Sequence, residues 1–359
     1  MILGLSAFYH DSAAALVSAD GIVFAAAEER FSRRKHDDGF PGLAVRAALE
    51  HAGVALHELD AVVFADSPPR KLLRVVDTWL AEAPSGYPFF AASFRSWMGR
   101  RMFEGRTILR ELRAIDPAFD RRRLRYARHH ESHAASAFLP SPFERAAVLT
   151  VDGVGEWATT GLWLGEGDAL TPLGELRHPH SLGLLYSAFT AACGFRVNSG
   201  EYELMGLAPY GEPELVDQIL GEVVHPLERG AFALDLRYFD FGRRERMTSD
   251  RFHERFGPPR DPDAPVTDQE RALAASIQVV LERLMLGLVE ELHRRTGASD
   301  LCLAGGVALN GVANGRIARE GPFGRVWVQP AAGDDGGALG AALLDPGRRG
   351  ALPPSPPPA

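Results

Sequence analysis

The sequence ILGLSAFYHDSAAALV, residues 2–17, contains two apolar runs that flank a polar tip at His10 and Asp11. Apolar runs of this length on either side of a short polar segment are typical of neighbouring β-strands. An Ala-Asp-Gly turn at 19–21 follows, and a third apolar run extends over 22–27. Because Asp-Gly favours a tight hairpin, this region predicts three consecutive strands joined by short turns.

The same arrangement returns in the middle of the chain. An apolar run at 146–151 leads to a polar tip at Asp152 and Gly153, which is followed by a strand at 159–164 and a glycine-rich turn at 165–168. Two copies of one unit predict two similar lobes that face a cleft. Hairpins are common, however, so a chance match between the two segments is the alternative.

The remaining segments predict helices alternating with further strands. A helix is predicted near 42–52 and a strand at 61–64. The clearest helix begins after Thr267, whose spacing to Glu270 forms a capping box, and it ends at Gly297. Helices alternating with strands indicate an α/β fold.

The composition is that of an ordinary globular protein, with 46% hydrophobic and 24% charged residues among 359. The net charge of -8 argues against nucleic acid as the main partner, because Lys and Arg supply the affinity for phosphate backbones. No apolar run is expected to reach the roughly 20 residues that cross a bilayer. Cys193 and Cys302 are predicted to be inert buried thiols, which fits a cytoplasmic location. Residues 346–359 are predicted to be a disordered, Pro-rich tail.

Two histidines four residues apart are the sharpest signal for a metal site. In the segment HHESH, His129 and His133 would project from one face of a helix, which suits two ligands of one ion. A solvated helix face is the alternative. Asp152, at a strand end, and Asp334, in a glycine-rich turn before a helix, could complete the site, although either could also be a turn residue or a cap. Two imidazoles with one or two carboxylates suit iron, zinc or manganese.

Glycines after a predicted strand at 301–304 indicate a nucleotide site. Gly305 and Gly306 follow this strand directly and precede a segment that includes Asn310. Such glycines let backbone amides approach phosphate or ribose oxygens, although they also occur in plain tight turns. The basic cluster RRKH, residues 33–36, is placed to reach an anionic ligand in the cleft.

Together these segments resemble the NodU/CmcH carbamoyltransferases and, more distantly, the tRNA threonylcarbamoyl-transfer enzymes. The matching motifs run in the family's order and are LGLSAFYHDSAAALV, EERFSRRKHD, HHESHAASAF, LTVDGVGEW, SLGLLYSAFT, MGLAPYG, GGVALNGVAN and PAAGDDGGALGAA. The resemblance implies an actin/hexokinase-like α/β domain over 1–345. Its two lobes would span about 1–145 and 146–345, with the cleft between them.

The resemblance also implies roles for particular residues. The implied ligands of an iron-type metal are His129, His133, Asp152 and Asp334. The implied nucleotide-binding residues are Gly183, Gly206, Gly305, Gly306 and Asn310. His10 and Lys35 would face the carbamoyl group and the acceptor, and a neutral His10 would accept the proton of the acceptor's hydroxyl group.

The implied activity is O-carbamoyl transfer in two steps. Carbamoyl phosphate and ATP first give carbamoyl adenylate, and the carbamoyl group then passes to a hydroxyl group of a small molecule, as in antibiotic or other secondary metabolite biosynthesis. The first step normally takes place on a YrdC-like domain, which the sequence does not include. Either a separate YrdC-like chain is a partner, or the protein receives an already activated carbamoyl donor, or it has lost the first step. Glu203 stands where the family usually has a lysine, which is expected to weaken phosphate binding.

Two other functions fit the same fold. A non-catalytic or regulatory nucleotide-binding domain that acts through a partner would account for both Glu203 and the YrdC-like domain that the sequence does not include. A sugar or acid kinase of the same superfamily is the third reading, although kinases of this fold need no paired histidines. The sequence leaves open whether the acceptor is an amino sugar, a macrolide or polyketide alcohol, or a cephem hydroxymethyl group.

Overall fold

The computed structural model describes residues 1–82, 104–240 and 246–344, and its first five strands form one mixed sheet. These strands are β1 (Ile2–Ser6), β2 (Ala13–Ser18), β3 (Gly21–Ala27), β4 (Ala61–Phe64) and β5 (Leu124–Tyr126). Their order is β3-β2-β1-β4-β5. The first three strands are antiparallel, and β4 and β5 continue the sheet parallel to β1.

A second sheet repeats this connectivity. Its strands are β6 (Arg145–Val151), β7 (Ala158–Glu166), β8 (Ala169–Arg177), β11 (Asp300–Ala304) and β12 (Arg325–Val328), while β9 (Val224–Pro226) and β10 (Phe232–Leu234) form a separate pair. The order β12-β11-β6-β7-β8 again joins an antiparallel meander to two parallel strands. The duplicated α/β arrangement is of the actin/hexokinase type, so the predicted fold class and repeat are confirmed.

Helices cover the sheets and connect their strands. In chain order they are Glu29–Ser32, Gly42–Ala52, Pro68–Glu82, Glu104–Ile115, His129–Phe138, Leu182–Ala192, Glu201–Leu207, Val216–Gln218, Asp250–Phe256, Asp268–Thr296, Gly311–Glu320 and Asp334–Leu343. The helix Gly42–Ala52 and the strand β4 lie at the predicted residues. Residues 346–359, for which a disordered tail is predicted, lie outside the described residues.

Both faces of the first sheet are buried, which explains the continuous apolar runs of β1 and β2. Leu3, Leu5 and Leu16 face a core that they form with the helices Gly42–Ala52 and Glu104–Ile115. Alternate positions such as Ile2 and Ala13 face a second core, formed with the last helix of the described chain. Because successive side chains of a strand point to opposite faces, a doubly covered strand needs apolar residues at every position.

Two short helices cross between the sheets, and we name them the histidine helix (His129–Phe138) and the aspartate helix (Asp334–Leu343). The histidine helix packs on the second sheet, whereas the aspartate helix packs on the first. The two helices also pack against each other, so closely that a Cβ atom at Gly340 would lie 1.7 Å from the Ser132 carbonyl oxygen. The aspartate helix thus lies within the predicted second lobe in sequence but packs on the sheet of the first.

The helix Asp268–Thr296 is the central element of the second lobe's core. Thr267 and Glu270 form the predicted capping box, and Gly297 ends the helix in the left-handed conformation, with φ of 56°. By length and composition the helix could cross a membrane, contrary to the prediction that no apolar run is long enough. However, 67% of its apolar window is buried inside the protein. We interpret it as a core helix.

The two cysteines are buried free thiols, as predicted. Burial raises the pKa of Cys193 and of Cys302 to about 12. A thiol with a pKa in this range carries almost no thiolate at neutral pH, so neither cysteine is suited to nucleophilic chemistry.

Candidate metal centre

Four residues singled out in the sequence converge where the two lobes meet. His129 and His133 lie one turn apart in the histidine helix, and Asp334 is the first residue of the aspartate helix. Asp152 follows directly after β6, whose carboxyl end points toward these two helices. All four side chains are buried. The histidine pair is therefore no solvated helix face.

The donor atoms of this cluster are spaced as the ligands of one metal ion would be. His129 Nε2 lies 2.7 Å from Asp152 Oδ2, 3.1 Å from His133 Nε2 and 3.6 Å from Asp334 Oδ1. His133 Nε2 lies 3.5 Å from each of the same two carboxylate oxygens. Tetrahedral donors around an ion with bonds of about 2.1 Å are about 3.4 Å apart. Two imidazoles and two carboxylates at these separations fit a divalent iron, zinc or manganese ion.

A carboxylate outside the cluster, that of Asp66, orients His129. His129 Nδ1 lies 3.2 Å from Asp66 Oδ1, and Lys71 Nζ lies 2.5 Å from Asp66 Oδ2. Burial acts to raise the pKa of Asp66, but the charges of Lys71 and His129 outweigh it and keep the carboxyl ionised. An ionised Asp66 at this distance favours a proton on His129 Nδ1, which leaves Nε2 free to bind a metal.

We expect Asp66→Ala to weaken metal binding about 10- to 100-fold, because His129 would lose the partner that fixes its orientation and tautomer. Titration of the metal-free protein with iron(II) or zinc(II) measures this change. Asp116→Ala is the matched control, since Asp116 also accepts from a histidine, His57, at 2.8 Å but lies outside the cluster. Equal affinities of the Asp66 and Asp116 variants would contradict the assigned role of Asp66.

Protons and a metal ion compete for this cluster. Burial acts to lower the pKa of His129, but the charge of Asp66 and the hydrogen bond to Asp152 outweigh it and raise the pKa well above the ordinary 6.5. For His133, hydrogen bonds to Asp152 and Asp334 likewise outweigh burial and raise the pKa. The pKa of Asp152 is lowered well below its usual value, because the two histidines outweigh the effect of its burial.

Metal affinity is therefore expected to rise with pH through the neutral range. Since both folded-state histidine pKa values lie above 6.5, the metal-free protein holds protons on these rings that an ion must displace. Each displaced proton changes the apparent affinity by up to about tenfold per pH unit. Titrations between about pH 6 and about pH 8 would measure the slope. Affinity that does not change with pH would show that the histidines are not ligands.

His10 lies beside the cluster, at the polar tip that follows β1. Its Nε2 is 3.6 Å from Asp334 Oδ2, and its Nδ1 is 2.8 Å from Asp11 Oδ2. Burial acts to lower the pKa of His10, but the hydrogen bond to Asp11 and the charge of Asp334 outweigh it and raise the pKa to about 9. The structure thus brings the predicted His10 next to a predicted metal ligand.

Lys35, the second predicted catalytic residue, lies elsewhere. Its Nζ atom lies 4.6 Å from the ring centroid of Tyr202, which belongs to the helix Glu201–Leu207. Lys35 is exposed, as is Glu203 one residue beyond Tyr202. Its neighbour His36 turns inward instead and contacts Asp11. The role of Lys35 in catalysis stays a prediction.

Three of the predicted nucleotide-binding glycines lie against the Asp152 loop. Gly306 donates its backbone N–H to Asp152 Oδ1 at 3.2 Å. Gly305 has φ of 94°, and a Cβ atom there would lie 2.2 Å from the Val151 carbonyl oxygen. A Cβ atom at Gly183 would lie 2.6 Å from the backbone N of the next loop residue after Asp152. A residue with a side chain does not fit at these close approaches.

Asn310 and Gly206 are placed differently. Asn310 caps the helix Gly311–Glu320 by accepting from the Ala313 N–H, and it exchanges two hydrogen bonds with Gln278. Gly206 is exposed, with open space where a Cβ atom would be. Nucleotide binding by all five residues stays a prediction.

Sequence reasoning missed three side chains at this site. Asp66 follows β4 as Asp152 follows β6, so the rule that identified one strand-end aspartate could have identified the other. Asp11 and His36 both lie in quoted motifs, but their contact joins two loops that are 25 residues apart in the chain. No local pattern predicts such a contact.

Two α/β lobes of equal topology with a His2Asp2 cluster between them define a two-lobed protein with a candidate metal centre in its cleft. The family model described as "Carbamoyltransferase N-terminus" matches residues 1–343. The chain therefore belongs to the carbamoyltransferase family, in the part that forms the amino-terminal region of its members.

Individual relatives match almost the whole chain. "Uncharacterized protein sll1178" of Synechocystis is 51% identical over 345 residues, which cover 95% of this chain and 56% of the relative. "Nodulation protein NolNO" of Sinorhizobium fredii is 33% identical over 350 residues, which cover 94% of this chain and 46% of the relative. The chain spans about half the length of these relatives.

The chain is also similar, at low sequence identity, to solved structures. One is HypF from T. kodakarensis, with 16% sequence identity, a TM-score of 0.44 and coverage of 96% of this chain and 47% of that one. Another is the (R)-2-hydroxyglutaryl-CoA dehydratase component A of Acidaminococcus fermentans, with 12% identity, a TM-score of 0.42 and coverage of 95% and 96%.

Proposed function

We propose that this chain is the transfer domain of an O-carbamoyltransferase, which moves a carbamoyl group from carbamoyl adenylate to a hydroxyl group of a small molecule. The observation that supports it most is the buried cluster of His129, His133, Asp152 and Asp334, with His10 at its edge. Membership of the carbamoyltransferase family supports the same reaction class. The proposal includes iron(II) as the metal, and carbamoyl phosphate and ATP as the source of the adenylate.

In the proposed reaction, the acceptor oxygen bonds to the carbamoyl carbon, and the bond from that carbon to the phosphate oxygen breaks. The acceptor's hydroxyl proton passes to His10 Nε2, and AMP leaves. In the metal-free protein the pKa of His10 is raised to about 9, and the positive charge of a bound metal ion beside Asp334 would lower it. Asp11 accepts from His10 Nδ1, so the ring in its neutral form presents Nε2 as the acceptor. A metal ion held by the four ligands would act as a Lewis acid that polarises an oxygen of the donor.

Nucleotide recognition is assigned to the glycine-lined loops beside Asp152. Gly305 and Gly306 lie between a strand and a helical turn, a position where phosphate oxygens are favoured. Gly183, near the start of the helix Leu182–Ala192, also lies close to the Asp152 loop. Asn310 and Gly206 are proposed to bind the adenosine part. Lys35 would have to leave Tyr202 to reach the anionic donor.

The proposed setting is the cytoplasm and a pathway of secondary metabolism, such as antibiotic biosynthesis. The acceptor would be a small hydroxylated molecule. Activation of the carbamoyl group is assigned to a YrdC-like domain. If that domain is not on the same polypeptide, it would be a separate partner chain. Since the chain spans about half of its relatives' length, this activity is a proposal for the whole protein.

The test is a mass-spectrometric assay of the chain loaded with iron(II). It would be given a panel of hydroxylated amino sugars, macrolides and cephems, with either preformed carbamoyl adenylate or ATP, carbamoyl phosphate and a YrdC-like domain. We expect one carbamoyl unit to be added to an acceptor and AMP to be released. ATP conversion to ADP with a phosphorylated sugar would replace this proposal by a kinase. Nucleotide binding without any transfer would replace it by a regulatory domain.

A further inference from the structure

We infer that Asp11, held in turn by His36, is the positioning residue that orients His10 toward the metal centre. The inference rests on the proposed role of His10 as the base that accepts the hydroxyl proton. Asp11 itself is not assigned contact with a substrate or with a metal ion. It acts through the imidazole ring of His10.

Two short contacts make Asp11 a bridge between two histidines. His10 Nδ1 lies 2.8 Å from Asp11 Oδ2, and His36 Nδ1 lies 2.7 Å from Asp11 Oδ1. An ionised carboxylate only accepts hydrogen bonds, so each histidine donates its Nδ1–H to Asp11. A neutral His10 then carries its lone pair on Nε2, which faces Asp334 Oδ2 at 3.6 Å. This is the tautomer that a base in the cleft requires.

The backbone fixes the two loops to each other. The Phe8 N–H donates to the Asp38 carbonyl oxygen at 3.0 Å, and the Ser12 N–H donates to the Asp37 carbonyl oxygen at 2.9 Å. The Ser12 hydroxyl also donates to the carbonyl oxygen of Gly39 at 2.5 Å. The loop that carries His10 and the loop that follows His36 therefore form one unit.

Asp11 and His36 both adopt a left-handed backbone conformation, which few residues other than glycine adopt. Asp11 has φ of 52° and His36 has φ of 54°, in the left-handed region that favours glycine. Residues that keep such a conformation are held there by their surroundings, and they cluster at functional sites. His36 is held by its own N–H, which donates to Glu29 Oε2 at 3.0 Å.

Among the described residues, the hydrogen bonds of the His36 ring explain its orientation only through Asp11. Its Nε2 atom is buried and makes no hydrogen bond within the described part of the chain. The contact with Asp11 is thus the polar contact that orients the ring. The chain of contacts runs from Glu29 through His36, Asp11 and His10 to the metal ligand Asp334.

The test compares Asp11→Asn with the wild-type protein loaded with metal. An asparagine side chain keeps the size of Asp11 but can donate to one ring, so His10 is free to adopt the other tautomer. We expect kcat for carbamoyl transfer to fall about 100-fold or more, as for other bases that lose their orienting carboxylate. The KM for the acceptor and the content of one metal ion per chain should stay unchanged.

Asp20→Asn is the matched control, because it makes the same change in the exposed turn after β2 and should leave kcat unchanged. His36→Asn keeps an N–H donor toward Asp11 and should lose less activity than His36→Leu. An unchanged kcat in Asp11→Asn would overturn the inference. A second bound metal ion that disappears in this variant would also overturn it, because Asp11, Glu29 and His36 would then be ligands.

A spectroscopic measurement separates this inference from the proposed function. In the zinc-loaded protein at a pH where His10 is neutral, ¹⁵N NMR of the ring should show the proton on Nδ1 in the wild type. In Asp11→Asn a large part of the population should carry it on Nε2. If the wild type transfers no carbamoyl group but this change is seen, the proposed function fails and the positioning role stands. The same tautomer in both proteins overturns the positioning role.

Discussion

Replacement of His133 by alanine is expected to abolish metal binding at micromolar metal and to reduce the proposed carbamoyl transfer to background. His133 Nε2 lies within 3.5 Å of a donor atom on each of the other three cluster members, so its loss removes one of four converging ligands. Loss of an outer partner of a metal ligand already costs about 10- to 100-fold in affinity, so loss of a ligand should cost more than about 100-fold. Metal content after dialysis and the mass-spectrometric transfer assay measure the two effects.

His130→Ala is the matched control for this experiment. His130 is also buried in the histidine helix, but its nitrogens contact Thr150 Oγ1 at 2.8 Å and the Ala158 carbonyl oxygen at 2.9 Å. Both alanine variants create a cavity and should lower the free energy of unfolding, by about 2–5 kcal/mol. Only His133→Ala should lose the metal. Equal metal loss in both variants would mean that helix disruption is the cause, and retained metal in His133→Ala would refute the ligand assignment.

The fold was predictable from the sequence because each of its parts has a strong local signal. The duplicated strand pattern predicted both meanders, and the capping box with Gly297 predicted both ends of the longest helix. Apolar periodicity and turn residues act over a few neighbouring positions, which is the range that sequence patterns report. The crossing of the histidine and aspartate helices was not predictable in this way. It depends on two small-residue surfaces that meet only in the folded protein.

The candidate site was predictable in part, for the same physical reason. His129 and His133 share one helix face, so their spacing alone brought them together. Asp152 and Asp334 were recognisable as polar residues at a strand end and in a glycine-rich turn, although Asp334 proved to be the first helical residue. The Asp66 contact could have been inferred from the strand-end rule. The direction of Lys35, toward Tyr202 and not toward His10, depends on how two separate elements approach each other.

Replacement of Gly340 by alanine is expected to destabilise the protein strongly, because the two crossing helices touch at this residue. A Cβ atom there would lie 1.7 Å from the Ser132 carbonyl oxygen and 2.6 Å from its carbonyl carbon, so the backbones must move apart. Overpacking of this kind costs about 1–3 kcal/mol, occasionally more, and it outweighs the gain of about 1 kcal/mol from the better helix former. Because the approach is so short, we expect an overpacking cost of about 3 kcal/mol and hence a net loss of about 2 kcal/mol in the free energy of unfolding, measured by denaturant titration of the metal-free protein.

The same substitution should also weaken metal binding in molecules that remain folded, because the aspartate helix carries Asp334 and the histidine helix carries His129 and His133. Gly315→Ala is the matched control, since this glycine also lies within a helix but its Cβ atom would meet only the flexible end of Arg319, at 3.2 Å. There the helix-forming gain of alanine is unopposed, so the control should be more stable than the wild type by up to about 1 kcal/mol and keep its metal affinity. A loss of metal affinity in Gly340→Ala but not in Gly315→Ala would show that the metal centre depends on direct contact between the crossing helices. A Gly340→Ala protein as stable as the control would show that the helices do not pack this closely.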